Sequence, residues 1–158
     1  MIDISWITPW LATGSGVYTA NDARDLKNEG VTHVVNCSDD ENLFCEGIHL
    51  DRAGIFFCDN PMPDDGLAKP SKWFQRTVRA VQDVAKPGEQ YRAFVHCSMG
   101  LNRGPSNAYA ILRTRGYGPE EAKAAIVLAR PRIAILGGLL YIPCVERALQ
   151  AKGKSRLK

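Results

Sequence analysis

Apolar positions along the chain switch between a period near two and a period near 3.6, and the switching predicts a mixed α/β domain. Trp10 to Thr13 reads as a first strand, closed by Gly14 and Gly16. Thr19 followed by Asp22 resembles a capping box, opening a helix through Leu26 that Gly30 ends. Val31 to Cys37 is rich in β-branched residues and predicts a buried strand. Residues 38 to 54 carry no clear period, with room for a short strand at Ile48 to Leu50. Ile55 to Cys58 reads as another strand, and the Pro- and Asp-rich run Asn60 to Gly66 as a loop. Ser71 is placed to cap a helix with Phe74, Val78, Val81 and Ala85 on one face, stopped by Pro87 and Gly88. Ala93 to His96 is a short apolar strand. Pro105 suits the first position of a helix ending near Arg115, and Pro119 opens another through Ala129. A last helix is expected over Leu139 to Ala151, with Pro143 kinking it or marking its true start. This order predicts a single α/β domain whose central mixed, mostly parallel sheet carries helices on both faces.

Composition narrows the class without changing that picture. With 158 residues, 45% hydrophobic and 23% charged, the chain is of one-domain size and too apolar for a disordered protein. The net charge of +3 is too small to mark a nucleic-acid binder, yet it would not repel an anionic substrate. Residues 152–158 carry much of the excess and read as a basic tail beyond a domain spanning 1–151. No apolar run approaches the ~18 residues of a membrane span, and the first ten residues lack the pattern of a secretory signal. The five cysteines are scattered with no Cys-x-x-Cys pair, so a cytoplasmic protein with reduced thiols and no metal site is expected.

The chemistry concentrates in His96-Cys97-Ser98-Met99-Gly100-Leu101-Asn102-Arg103, which joins a predicted strand to a predicted helix start. Backbone N–H groups at such a start point outward and carry about half a positive charge. A loop wrapped over it presents its amides to a tetrahedral oxyanion, and Gly100 lets the backbone turn inward. Arg103 adds a planar fork able to grip two phosphate oxygens. A cysteine at the first loop position then sits in a positive well that favours the nucleophilic thiolate. A buried, inert cysteine is the commoner reading of an isolated Cys. However, His-Cys with Gly three and Arg six positions later arises by chance in on the order of one such chain in several thousand.

On these residues the chain resembles the cysteine-dependent protein phosphatases, and within them the compact dual-specificity branch. Gly30 to Asn36 is similar to that family's second strand, Pro61 to Gly66 to its general-acid loop, and Ala129-Arg130-Pro131 to its closing segment. The resemblance implies that Cys97 attacks phosphorus and forms a phosphocysteine. Ser98, Met99, Gly100, Leu101, Asn102 and Arg103 would bind the phosphate, with His96 orienting the loop. Relatives place the general acid just before the glycine, which implies Asp65, with Asp64 as the alternative. Arg132 matches a position that in relatives often meets a second anionic group. The implied substrate is a phosphorylated protein, phosphotyrosine first and phosphoserine or phosphothreonine in addition. The enzyme is expected to act as a monomer, without cofactor, membrane or nucleic acid. An RNA 5′-triphosphatase, suggested by Asn102, and a binding-only pseudophosphatase are the alternatives.

Two further expectations concern single residues. The family usually has a hydroxyl residue after the signature arginine, where this chain has Gly104. The next hydroxyl is Ser106, so Gly104→Ser is expected to speed phosphocysteine hydrolysis if that step limits turnover. Relatives also use a cysteine at the end of the second strand as a redox partner, which assigns that role to Cys37, opposite Cys97 if the two strands are parallel neighbours. The competing reading makes Cys37 a small core residue.

Overall fold

The computed structural model describes residues 1–86, 88 and 90–151. Five strands, β1 Ile4–Thr8, β2 Leu11–Gly14, β3 His33–Asn36, β4 Phe56–Asp59 and β5 Ala93–His96, form one sheet in the order β1-β2-β5-β3-β4. β1 pairs antiparallel with β2, and every other pairing is parallel. The helices are α1 Ala20–Asn28, α2 Glu46–Arg52, α3 Ser71–Ala80, α4 Arg103–Thr114, α5 Pro119–Ala129, α6 Arg132–Ile135 and α7 Ile142–Ala151.

Alternation along the strands divides the core in two. Leu11, Val35, Ala93 and Val95 face a cluster built with α3, α4, α5 and α7. Ala12, Val34 and Phe94 face a smaller one that includes Ala23 and Leu26 of α1 and Leu50 of α2. The sheet is therefore covered on both faces, as expected. Parallel strands buried on both sides need continuous apolar runs, which is why β3 and β5 are so plain in the sequence.

The capping box at Thr19 forms, with Asp22 closing it. Other expectations are corrected. An edge strand, β1, precedes the first expected one; it is half-buried throughout and shows no alternation. The strand considered at Ile48 to Leu50 is instead part of α2, whose two turns bury Glu46 and Leu50 four residues apart. Pro70, not Ser71, occupies the cap of α3, and the helix ends at Ala80. Ala85 lies beyond the helix with φ +64°, so it is off the expected face. Pro87 lies outside the described residues, as does the tail at 152–158. Pro105 is third rather than first in α4, a position without an intrahelical N–H partner to lose. Pro143 marks a true start, being second in α7, and the short α6 was not anticipated.

Candidate active site

Register places the site. Gly14, Asn36 and His96 are aligned at the C-terminal ends of three adjacent parallel strands, with β5 central. The segment from Cys97 to Asn102 leaves β5 there and enters α4. Ligand sites of open parallel sheets lie at this strand edge.

Donors from four other places turn the loop's carbonyls outward. The Cys97 carbonyl faces His96 Nδ1 at 3.0 Å. Arg130 donates from Nη2 to the Met99 carbonyl (3.1 Å) and from Nε to that of Gly100 (2.8 Å). Leu139 N–H donates to Leu101 (2.9 Å), and Ser106 N–H to Asn102 (2.8 Å). The backbone N–H groups from Ser98 to Arg103 have no acceptor among the described residues. With its carbonyls turned outward and its amides unpartnered, the loop forms a cradle able to take an oxyanion. Gly100 is required here: φ is +69°, and a Cβ would lie 2.5 Å from Arg130 Nη2 and 2.8 Å from the Gly14 carbonyl carbon.

Cys97 is 2% exposed at the base of this cradle. Arg103 is nearly buried; Nη1 donates to Asp39 Oδ1 and to the Met62 carbonyl, both at 2.8 Å. Its Nε is buried without a partner. Ser98 Oγ lies 2.7 Å from Ser38 Oγ and donates to Asp40, which also accepts from Tyr18. The turn Ser38-Asp39-Asp40 thus borders the loop. With Glu41, Phe44, Asp59 and Pro61 it lines a recess of about 200 Å³.

His96 packs on the opposite sheet face, where Nε2 meets Glu46 Oε1 in a fully buried pair. Burial works against a charged imidazole, but the Glu46 charge and hydrogen bond outweigh it and raise the His96 pKa. The Cys97 carbonyl at Nδ1 and the Glu46 carboxyl at Nε2 both favour the charged imidazole.

The two acidic candidates part company. Asp65 accepts from Lys69 Nζ at 2.5 Å and from Leu67 N–H, and the Lys69 contact holds its carboxyl below the ordinary range. Asp64 instead reaches the loop: Asn102 Nδ2 donates to it at 3.4 Å and the Tyr141 hydroxyl at 2.5 Å. Burial, with the neighbouring Asp64, pushes the Tyr141 phenol up to about 12, so it keeps the proton it donates.

Arg132 does not enter the cradle's bonding; it is half-exposed with Nη1 3.8 Å from Asp3. Its buried neighbour Arg130 holds the loop. Asp3 grips Arg130 bidentately at 2.8 and 2.7 Å, and that contact lowers the Asp3 pKa. Arg130, Asp3, Glu46, Asp39 and Tyr141 were not picked out from the sequence as site residues. An Arg directly after the end of a helix is unremarkable until the loop it supports is seen.

Cys37 and Cys97 each follow the aligned pair Asn36 and His96, so their backbones are neighbours across β3 and β5. Cys37 is fully buried, 4.0 Å from Thr77 Oγ1, and burial, then the Cys97 charge, pushes its thiol up. Ser106 Oγ accepts from Tyr141 N–H. Gly104 lies against β5: a Cβ there would sit 2.9 Å from His96 C and Cα.

Comparison with known proteins supplies the family. The family model described as the dual specificity phosphatase catalytic domain matches residues 16–135. Human dual specificity protein phosphatase 13B is 35% identical over 117 residues, 70% of this chain and 54% of that protein. The chain thus spans about half the length of this relative. Among solved structures, Tk-PTP in its active form superposes with a TM-score of 0.73 at 19% identity, covering 94% of this chain and 95% of that one. PTPMT1 in complex with PI(5)P gives 0.74 at 17%, covering 95% and 98%. At those identities the structures speak for the fold, while the family model and the human relative carry the assignment: the chain belongs to the dual specificity phosphatase catalytic-domain family.

Proposed function

We propose that the protein hydrolyses phosphate monoesters of phosphotyrosine, and of phosphoserine and phosphothreonine, through a phosphocysteine on Cys97. The observation that carries this reading is the cradle of unpartnered amides from Ser98 to Arg103 above Cys97, with the Arg103 Nε beside it. The phosphoryl oxygens take these amides, and the Arg103 fork takes two oxygens as Asp39 yields its hold. Cys97 Sγ attacks phosphorus in line while the bond to the leaving oxygen breaks. The loop amides stabilise the equatorial charge. Asp64 protonates the leaving oxygen, then takes a proton from the water that attacks phosphorus, and the P–S bond breaks to return the thiolate. The resemblance implied Asp65 for this proton. Asp64 is favoured because its carboxylate lies against Asn102 of the loop, whereas Asp65 is held by Lys69.

The surroundings support a phosphoprotein over a multiply charged substrate. Asp39, Asp40 and Glu41 border the loop, and they repel further phosphates. Met99 and Phe44 are 69% and 84% exposed there, offering apolar surface to an aromatic substrate residue.

Purified protein without added metal should hydrolyse nitrophenyl phosphate and a phosphotyrosine peptide, and triphosphorylated RNA should be a poor substrate. Cys97→Ser should abolish both activities with the fold intact; substantial residual hydrolysis ends the reading. Asp64→Asn should slow phosphotyrosine turnover about 10²-fold or more while sparing nitrophenyl phosphate, whose leaving group hardly needs a proton. That selectivity in Asp65→Asn instead returns the role to Asp65.

A further inference from the structure

The groove between α1 and α2, on the sheet face opposite α3 and α4, gathers positive charge that the phosphatase site does not use. Ala20, Arg24 and Lys27 line it from α1, and His49 and Arg52 from α2 with Ala53 just after it, enclosing about 270 Å³. The two helices run side by side from the loop edge of the sheet to the opposite edge. Lys27 and Arg52 are in their last turns, so the groove opens away from Cys97.

Among the described residues no ion pair neutralises this groove: Arg24, Lys27 and Arg52 form none. The acids of α1 are committed elsewhere: Asp22 to the backbone of Tyr18 and Thr19, Asp25 to Ile2 N–H. Glu29, just after α1, accepts from Trp6, and Asp51 of α2 does not line the cavity. Arg24 spends Nη1 on Asn21 and has no other partner among the described residues. His49 Nδ1 is buried with no partner among the described residues. A cation at a helix C-terminus is favoured by the dipole, which accounts for Lys27 or Arg52 singly. It does not account for Arg24 three residues before Lys27, a like-charge spacing that costs stability, with Arg52 facing both across one cavity.

We infer that this groove binds a small phosphate-bearing ligand, separately from the catalytic loop. Two arginine forks match tetrahedral oxyanion geometry and Lys27 adds a point charge, with His49 on the groove wall. The volume lies just under the ~300–1,000 Å³ of drug-sized pockets, so the ligand is a phosphorylated small molecule or a single headgroup. The inference does not depend on the phosphatase reading, because no groove residue belongs to the cradle.

The test is a titration of ¹⁵N-labelled protein with inorganic phosphate, ionic strength being held constant with chloride. Amide shifts should appear in a second set around residues 24, 27, 49 and 52, besides any at 98–103. In Arg24→Gln/Arg52→Gln the second set should weaken about 100-fold, tenfold for each charge-assisted contact removed. Glutamine is a good helix former at these exposed positions, and aryl phosphate hydrolysis should stay unchanged. Absence of the second set, its persistence in the double variant, or its reproduction by chloride alone overturns the inference. Failure confined to the loop set bears only on the phosphatase reading. Phosphatidylcholine vesicles with and without phosphatidic acid, offered to Cys97→Ser protein, separate the sources. Vesicle binding lost in the double variant assigns a lipid headgroup, and phosphate binding without it assigns a soluble ligand.

Discussion

Replacing Arg130 with alanine tests whether the phosphate loop is held in shape from outside. The side chain is 1% exposed and makes five hydrogen bonds: two to the Met99 and Gly100 carbonyls, two to Asp3 and one to Ser5. Breaking a buried ion pair costs about 3–5 kcal/mol. Asp3 is about one-third exposed and rehydrates when left alone, so the lower end, about 3 kcal/mol, is expected. For a domain of this size that lowers Tm by roughly 6–12 °C, at about 2–4 °C per kcal/mol. The loop loses two of its carbonyl anchors, and a misplacement of about 1 Å costs on the order of 10²-fold in kcat/KM. The assay is thermal unfolding together with phosphotyrosine-peptide kinetics, measured well below Tm so that positioning is separated from unfolding. Arg130→Lys should restore part of the stability but little of the rate, because an ammonium cannot reproduce the fork. The acid limb should flatten as well. Arg130 lowers the folded pKa of Asp3, so its contribution is present above the ordinary carboxylate value and lost as pH falls through the lowered one. Unchanged Tm with kcat/KM within about threefold of the parent would refute external positioning of the loop.

Gly104→Ser, expected from the sequence to speed turnover, should instead slow it and destabilise the protein by about 1–3 kcal/mol, since the new Cβ meets β5 backbone at 2.9 Å; acceleration in a burst-phase assay would show that the strand gives way. Peroxide should inactivate the enzyme reversibly through a Cys37–Cys97 disulfide. Mass spectrometry should find the link, and equal recovery in Cys37→Ser would remove Cys37 from the mechanism. Glu46→Gln should destabilise most below pH ~6.5, with the gap closing as pH rises through the raised His96 value, because stability from a raised histidine is complete below its unfolded pKa. Denaturant titrations at several pH values check this, and a gap that widens with pH contradicts it.

Legible in the sequence were the features that local chemistry dictates. β3 and β5 are buried on both faces and read as continuous apolar runs, Thr19 and Asp22 cap α1 through contacts three residues apart, and the loop from His96 to Arg103 carries its spacing in one stretch. Left to the tertiary structure were the side chains that brace that loop from a distance. Arg130 arrives from the end of α5, braced by Asp3 of the N-terminal segment 127 residues away; Glu46 arrives from a helix of only two turns, too short to show a period. The choice between Asp64 and Asp65 depends on which carboxylate meets Asn102 and which meets Lys69, and adjacent residues look alike in a sequence. Gly104 shows the same division. Its identity announces a missing hydroxyl, but only the approach of β5 to α4 shows that there is no room for a side chain there. Periodicity and motif spacing record what a residue does to its neighbours in the chain, whereas the donors that orient an oxyanion loop are recruited across the sheet.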